Sequence, residues 1–358
     1  MNFILSRIYY ITFYIPLIIE GNKNNIKSIM FLNKNPKQFT DPYEKLVKIK
    51  KLSKKYNFDI MDITEIKKYK GITILSEGDL VGRGKNNPEN AFRFLNGNHI
   101  KFSLIINYEF AQGYYKMYID KVDYVIFPSK IYAETYTNYY KQDRSNRKCL
   151  SNKNLYLGCP KYLAELKDIN LPKDQKYCLF AFPKNNTHIT KLKWRCPSKS
   201  DLIKIYNSVR DLGFKIIVKS KIQDSVKDSD LKADYYFEDD DSEDDLYPSS
   251  TMNLINISSL VIYFSSSIIE ECFFLKTPFI DFKLDPKMDR FKFLHNDSYS
   301  RILDFKMDSE SIKKEIINIT KEDSSEVFDN LKNKYFGKYE DTNKNIIEYF
   351  LKNFINKK

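Results

Sequence analysis

Two doubly wound α/β domains facing a cleft are the fold this sequence predicts. Three observations predict it. Short apolar segments alternate with stretches of helical spacing along most of the chain, the pattern of a parallel sheet. The alternation breaks after Gly158, Cys159 and Pro160 and starts afresh at Tyr177. The length of 358 residues exceeds the usual size of one domain, and 42% hydrophobic with 15% aromatic residues supplies material for two cores.

The first series opens on Asn2–Leu5, a short apolar segment read as a strand. Ile8–Ile19 (IYYITFYIPLII) follows Arg7 and is apolar throughout. It is shorter than the roughly 20 residues that span a bilayer. Glu20, Gly21, Asn22 and Lys23 stand where a cleavage site would carry small residues. We read it as a helix buried on the sheet, with a membrane anchor as the alternative. Further strands are expected at Lys27–Leu32, Phe58–Met61, Ile72–Leu75, Phe102–Ile106 and Tyr124–Phe127. Helices are expected at Pro42–Tyr56, Pro88–Leu95, Gln112–Asp120 and Ile131–Tyr140. The polar, basic stretch Lys141–Asn154 reads as a loop before a short strand, Asn154–Leu157.

The second series opens on the apolar strand Tyr177–Phe182. Ser200–Leu212 carries Leu202, Ile205, Val209 and Leu212 on one helical face, and Gly213 stands where a C-cap glycine would. Strands are expected at Lys215–Lys219, Leu260–Phe264 and Phe279–Phe282, and helices at Ser249–Ile257 and Ile268–Phe274. Ser309–Ile319 and Asn343–Phe354 read as amphipathic terminal helices. The expected division is therefore 1–157, a crossover at 158–176, 177–308, and terminal helices at 309–358 packing back toward the first domain.

The formal net charge of +12 suits an anionic ligand: a nucleotide, a lipid phosphate or a nucleic acid. The excess is concentrated early, in the lysines from Lys45 to Lys55 (KLVKIKKLSKK). That tract reads as the wet face of an amphipathic helix, with peripheral contact to an anionic membrane as the alternative. Nucleic acid is not an expected partner, because no zinc finger, RNP-like aromatic motif or helix-turn-helix is present. Cys149, Cys159, Cys178, Cys196 and Cys272 are odd in number and scattered, without a CxxC pair. They point to a reducing, cytoplasmic compartment and away from a disulfide framework or zinc site. The acidic tract Glu238–Asp245 holds the letters of an Asp-x-Asp metal signature. No hydrophobic strand is seen to lead into it, so it reads as a solvated loop and no metal is expected.

The segment with most chemical content is Leu260–Phe282, LVIYFSSSIIEECFFLKTPFIDF. An apolar strand runs into Ser265, Ser266 and Ser267, then directly into a helix carrying Glu270 and Glu271. Such a junction offers free backbone N–H groups and the positive end of a helix dipole to an anion. The serines alternatively just cap the helix.

This pattern of strand, three serines, helix with Glu, then Lys-Thr-Pro and strand resembles the donor site of GT-B transferases, with two Rossmann-like domains. It is most similar to the group of CDP-glycerol glycerophosphotransferases and capsule-polysaccharide transferases. The non-hydrolysing UDP-N-acetylglucosamine epimerases share a related segment. Val122–Ser129, Leu155–Lys161, Tyr177–Pro183 and Ile216–Lys221 resemble further family segments in order. The resemblance implies that Ser265, Ser266 and Ser267 hold a donor diphosphate. It implies Glu270 or Glu271 for ribose, and Lys219 or Lys221 for phosphate charge. The sequence departs from the family at Lys219-Ser220-Lys221, where Lys-x-His-Pro is usual, and in lacking an evident His-Gly. The epimerases' His-Arg pair is absent too. His188 stands in a different setting and is kept as a phosphate contact.

An inverting transferase needs a base, and Asp or Glu on a strand-end loop suits that task. Glu77 and Asp79, after the strand Ile72–Leu75, are the candidates; a Gly/Asp turn is the structural alternative. Glu109 and His99 are weaker rivals. The expected function is transfer of a glycosyl or polyol-phosphate group from a nucleotide-activated donor to a surface glycan or polymer acceptor, without a metal. A sugar-nucleotide epimerase and a catalytically silent binding protein on the same fold are the alternatives.

Overall fold

The computed structural model describes residues 1–6, 8–33, 43–76, 81–82, 91–105, 116–117, 121–134, 153–160, 166–181, 198–220, 232–238, 247, 250–264, 268–283, 302–304, 306–322, 325–337 and 340–356. The chain divides into two compact units. One comprises Met1–Ala164 with Asn333–Lys358, the other Glu165–Lys332. Each is built on its own parallel sheet.

In chain order the first unit contains β1 (Asn2–Leu5), α1 (Ile11–Lys23), β2 (Ile29–Leu32), α2 (Tyr43–Tyr56), β3 (Asp59–Asp62), β4 (Gly71–Ser76), β5 (Val81–Gly82), β6 (His99–Leu104), β7 (Lys116–Met117), β8 (Tyr124–Phe127) and β9 (Asn154–Tyr156). Seven of these strands form one parallel sheet in the order β3-β2-β1-β4-β6-β8-β9. The order reverses between β1 and β4, so helices fall on both faces. From Ile11 to Ile18, α1 is apolar on all sides but for Thr12, and every residue there is buried. Its Tyr14 stacks near Phe3 at 5.2 Å and donates to the Ile4 carbonyl at 2.9 Å. Among the described residues no helix is long and apolar enough to cross a membrane. The 3-10 turns Ile63–Lys68 and Ala91–Phe94 serve as crossovers, the second where a full helix over Pro88–Leu95 was expected.

The second unit continues with β10 (Tyr177–Ala181), α3 (Lys199–Asp211), β11 (Lys215–Ser220), β12 (Tyr235–Glu238), α4 (Ser250–Ile257), β13 (Leu260–Tyr263), α5 (Ile268–Leu275), β14 (Phe279–Lys283), β15 (Ile302–Asp304) and α6 (Ser309–Lys321). Its sheet is parallel, in the order β12-β11-β10-β13-β14-β15. Even-numbered residues such as Cys178, Phe180, Val218, Ile262 and Ile280 form one apolar face with α3 and α6. The opposite face is covered in part by α5 and by α7 (Ser325–Phe336), through Phe279 against Phe273 and Phe328. The chain ends in α8 (Thr342–Phe350), continued as a π-helical turn to Ile355. Phe350 and Phe354 there pack on Phe102 of β6 at 4.7 and 5.4 Å.

Four expectations are corrected. The terminal helices do not all belong to the first unit. Ile312, Ile316 and Ile319 of α6 complete the second unit's core, and the first unit resumes only at Asn333. Within the expected helix Gln112–Asp120, Lys116–Met117 is a strand, paired antiparallel with Val81–Gly82. A strand does lead into the acidic tract, because β12 ends on Glu238; its row of half-polar residues is recruited by β11 at the sheet edge. Asp239–Asp245 lie outside the described residues. His99, a rival candidate for the base, is the first residue of β6, at the edge opposite the carboxyl strand ends where ligands collect in open parallel sheets.

His99 is buried, and its Nδ1 lies 2.8 Å from Thr73 Oγ1, which also accepts from Asn2 Nδ2 at 3.3 Å. Burial lowers its pKa below the ordinary imidazole value, more than the Ile66 backbone raises it, and Lys101 lowers it further. A pKa depressed in the folded state means that the unfolded chain binds more protons between the two values. Stability from this site is thus present above the ordinary imidazole value and is lost as pH falls through the folded one. Thermal melts between pH 7.5 and 5 should show a steeper acid loss for the parent than for His99→Gln. Parallel curves would sink this account.

Candidate functional site

In open parallel sheets, ligands collect at the carboxyl ends of the strands where strand order reverses. In the second unit that reversal lies between β10 and β13. β13 carries Leu260, Val261, Ile262 and Tyr263, all buried. Phe264 follows, and α5 opens at Ile268. Its first backbone N–H groups have no intrahelical partner, and its dipole is positive at that end. Ser265, Ser266 and Ser267 fill the connection in sequence and lie outside the described residues.

The register aligns further groups with this junction. Ala181 pairs with Lys219 on one side and Tyr263 on the other, and Tyr263 pairs with Asp281. Residues opposite one another in a parallel sheet point to the same face. Lys219, Ala181, Tyr263 and Asp281 therefore form one row, on the face away from the apolar cluster of α3 and α6. Lys219 is two strands from Tyr263, about 10 Å at ordinary strand spacing. All three polar members of the row are buried.

Glu270 and Glu271 sit in the first turn of α5, and both are buried. Neighbours on a helix are about 100° apart, so burial of both means that neither faces solvent. α5 is enclosed from Ile268 to Phe274. Cys272, within it, has its thiol pKa pushed up by burial and by Glu271, so it is an unreactive thiol. Lys276-Thr277-Pro278 ends the helix. Lys276 takes the left-handed conformation at φ 56° and pairs with Asp329 at 2.7 Å. Thr277 Oγ1 donates to the Ile255 carbonyl of α4 at 3.2 Å. That tripeptide is a helix stop that ties α5 to its neighbour.

Of the residues singled out from sequence, Lys219, Glu270 and Glu271 are thus in one unit near one strand edge. Lys221, His188, Glu77, Asp79 and Glu109 lie outside the described residues. Sequence reasoning missed Tyr263 and Asp281. The signal for Asp281 is present, a lone carboxylate in the apolar strand FIDF. In the first unit it missed Ser6, Asn33 and Ser76, buried just at the ends of β1, β2 and β4. Asn33 Nδ2 donates to Ser6 Oγ at 3.1 Å. Among the described residues no group of three or more His, Cys, Asp or Glu could hold a metal ion, and Cys159, Cys178 and Cys272 are free, buried thiols.

No protein-family profile matches this sequence, and no curated protein matches it. Solved structures do. A Listeria monocytogenes protein provisionally described as a UDP-N-acetylglucosamine 2-epimerase superposes with a TM-score of 0.61 at 11% identity, over 97% of this chain and 94% of that one. The chain has the GT-B fold. The UDP-GlcNAc 2-epimerase of Neisseria meningitidis, solved with UDP-GlcNAc, gives 0.55 at 12% identity over 98% and 99% of the two chains. The wall teichoic acid polymerase TagF gives 0.53 at 14% identity over 95% and 84%. Identities this low carry the fold and not the activity. Two parallel sheets of GT-B type, each with helices on both faces, are therefore established; the subgroup suggested by the serine–glutamate segment is not.

Proposed function

We propose that this GT-B chain is an enzyme that binds a nucleotide-activated donor at the carboxyl edge of its second sheet. The observation that carries this reading is the junction of β13 and α5 at the strand reversal, with Lys219 in the same row as Tyr263, two strands away. Helix-terminal N–H groups and a lysine suit a diphosphate, and charge-assisted bonds to phosphate oxygens are the strong ones. The reaction we infer is transfer of a glycosyl or polyol-phosphate group to a surface glycan or polymer. Ser265, Ser266 and Ser267 would hold the diphosphate, and Lys221 or His188 would add a phosphate contact. Glu77 or Asp79 would take the proton from the attacking hydroxyl. Glu270 or Glu271 binds the ribose only if α5 opens, since both are buried.

Epimerisation of a sugar nucleotide is the second reading, favoured by the likeness to two 2-epimerases. One experiment separates the two. The protein is incubated with UDP-GlcNAc and with CDP-glycerol, with and without a polymeric glycan or polyol-phosphate acceptor, in excess EDTA throughout. Thermal melting reports binding, because a ligand selective for the folded state must stabilise it. Chromatography and proton NMR report products. The transfer reading expects a rise in melting temperature with one donor, and nucleotide release that depends on acceptor. The 2-epimer appearing without acceptor would establish the second reading instead. Turnover only after Mg²⁺ or Mn²⁺ is restored would overturn the metal-free expectation.

A further inference from the structure

The charge of the chain belongs to one unit. Residues 1–164 with 333–358 carry 33 Lys and Arg against 17 Asp and Glu, and residues 165–332 carry 26 against 30. The whole positive excess therefore lies on the unit without the proposed donor site. Part of it is concentrated at one place. α2 buries Ile49 and Leu52, and turns Lys50, Lys51, Lys54 and Lys55 outward to solvent. No acidic residue occurs from Lys45 to Tyr56. Val47, 42% exposed, lies one turn before Lys50 and Lys51 on the same outward stripe.

The tertiary structure adds two more lysines. α1 and α2 pack side by side, and Asn22 Nδ2 donates to the Tyr56 carbonyl at 2.7 Å. This contact joins the carboxyl ends of the two helices. Lys23, exposed, ends α1, and Lys27, also exposed, precedes β2, whose Ile29 pairs with Asp59 just after α2. Six exposed lysines from three chain segments thus gather at one edge of the first sheet, where its strands begin. Among the described residues, the acidic side chains nearest the cluster in the sheet register include Glu20, which pairs with Lys23 at 2.9 Å, and exposed Asp59; Asp123, just before β8, pairs with Lys101.

We propose that this face is a docking surface for an anionic phospholipid bilayer. Clusters of four to eight lysines on an amphipathic helix are attracted by anionic headgroups over a Debye length. A lipid surface fits this face better than a nucleic acid does. The cluster contains no arginine fork to read base edges, Val47 adds an exposed aliphatic side chain, and the one ring within it, Tyr56, is half-buried with Lys55 Nζ over it at 5.1 Å. Because the face lies where the strands begin, docking leaves the opposite strand ends of this sheet uncovered.

The test is co-sedimentation of the full chain with vesicles of phosphatidylcholine alone or with 30% phosphatidylglycerol, at low and high salt. Binding is expected only with phosphatidylglycerol, and it should be lost in high salt. Lys50→Glu/Lys51→Glu/Lys54→Glu/Lys55→Glu should weaken it at least about a hundredfold. A control reversing the exposed lysines Lys173, Lys176, Lys232 and Lys306 of the second unit should bind as the parent does. Circular dichroism and the melting temperature verify that both variants fold; if the fourfold variant does not, Lys50→Gln/Lys54→Gln is read instead and should lose at least about tenfold. Equal loss in the control, no binding of the parent to anionic vesicles, or tighter binding to single-stranded DNA than to vesicles would overturn the proposal. Donor binding plays no part in this readout, so the two readings fail separately.

Discussion

A Lys219→Met variant is expected to bind its nucleotide at least about tenfold more weakly than the parent, with its melting temperature little changed. Methionine keeps an unbranched apolar side chain of similar length and removes the ammonium. A hydrogen bond to a charged partner is worth roughly 1.5–3 kcal/mol, which sets the tenfold floor. Isothermal titration with UDP and CDP measures it, and Lys219→Arg, which keeps the charge, should retain more of the affinity. Ser266→Ala/Ser267→Ala should lose a similar amount if the hydroxyls touch phosphate, and nothing if they only cap α5. Unchanged affinity in the lysine and serine variants alike would remove the donor site from this edge. A large fall in melting temperature with unchanged affinity would instead give Lys219 a structural role in the buried row.

The second large effect is on stability. Gly158 has φ +93°, in the region that side chains rarely adopt. A Cβ added there would lie 2.0 Å from Thr342 Oγ1 and 3.0 Å from Thr342 Cβ and Cγ2. Thr342 is fully buried at the start of α8, so it has no room to retreat. Backbone strain of about 1–2 kcal/mol and overpacking of about 1–3 kcal/mol should add in Gly158→Ala. The expected loss is about 2–5 kcal/mol, read as a lower urea midpoint with an unchanged slope. Thr342→Ala in the same background should return part of it, because it removes Oγ1 and Cγ2 and leaves the φ strain. A Gly158→Ala protein as stable as the parent would mean that the segment moves freely off α8. The Gly-x-Pro break seen in the sequence would then have no packing role.

Much of this architecture is legible in the residues, and the reasons are local. β1, β10, β13 and β14 are short apolar runs, too short for helices and bounded by polar residues. α3 shows its buried face in the spacing of Ile205 and Val209, and Gly213 at φ +82° ends it as expected. α6 and α8 are marked by isoleucines at helical spacing. Elements shaped by distant partners are harder to read. β12 (YYFE) and β15 (ILD) are too short and too polar to declare themselves; they are strands because β11 and β14 offer them an edge. Lys116–Met117 is extended because Val81–Gly82 is there to pair with it. In α7 the spacing of Phe328, Leu331 and Tyr335 is a helical signal that the surrounding charge obscures.

The candidate site divides along the same line. The residue types were written in the chain: a strand running into serines, a helix opening on two glutamates, and a lysine near the end of a neighbouring strand. Those follow from local order alone, because a strand–turn–helix junction needs only consecutive residues. Register and burial were decided by the tertiary structure. Only the pairing of β11, β10, β13 and β14 places Lys219, Ala181, Tyr263 and Asp281 in one row, and those strands span more than a hundred residues of chain. Only the packing of α5 encloses both glutamates. Only the pairing of α1 with α2 brings Lys23 and Lys27 beside the lysines of the basic helix. A side chain's type is a property of one position, whereas its neighbours depend on contacts whose free energy exists only once distant segments meet.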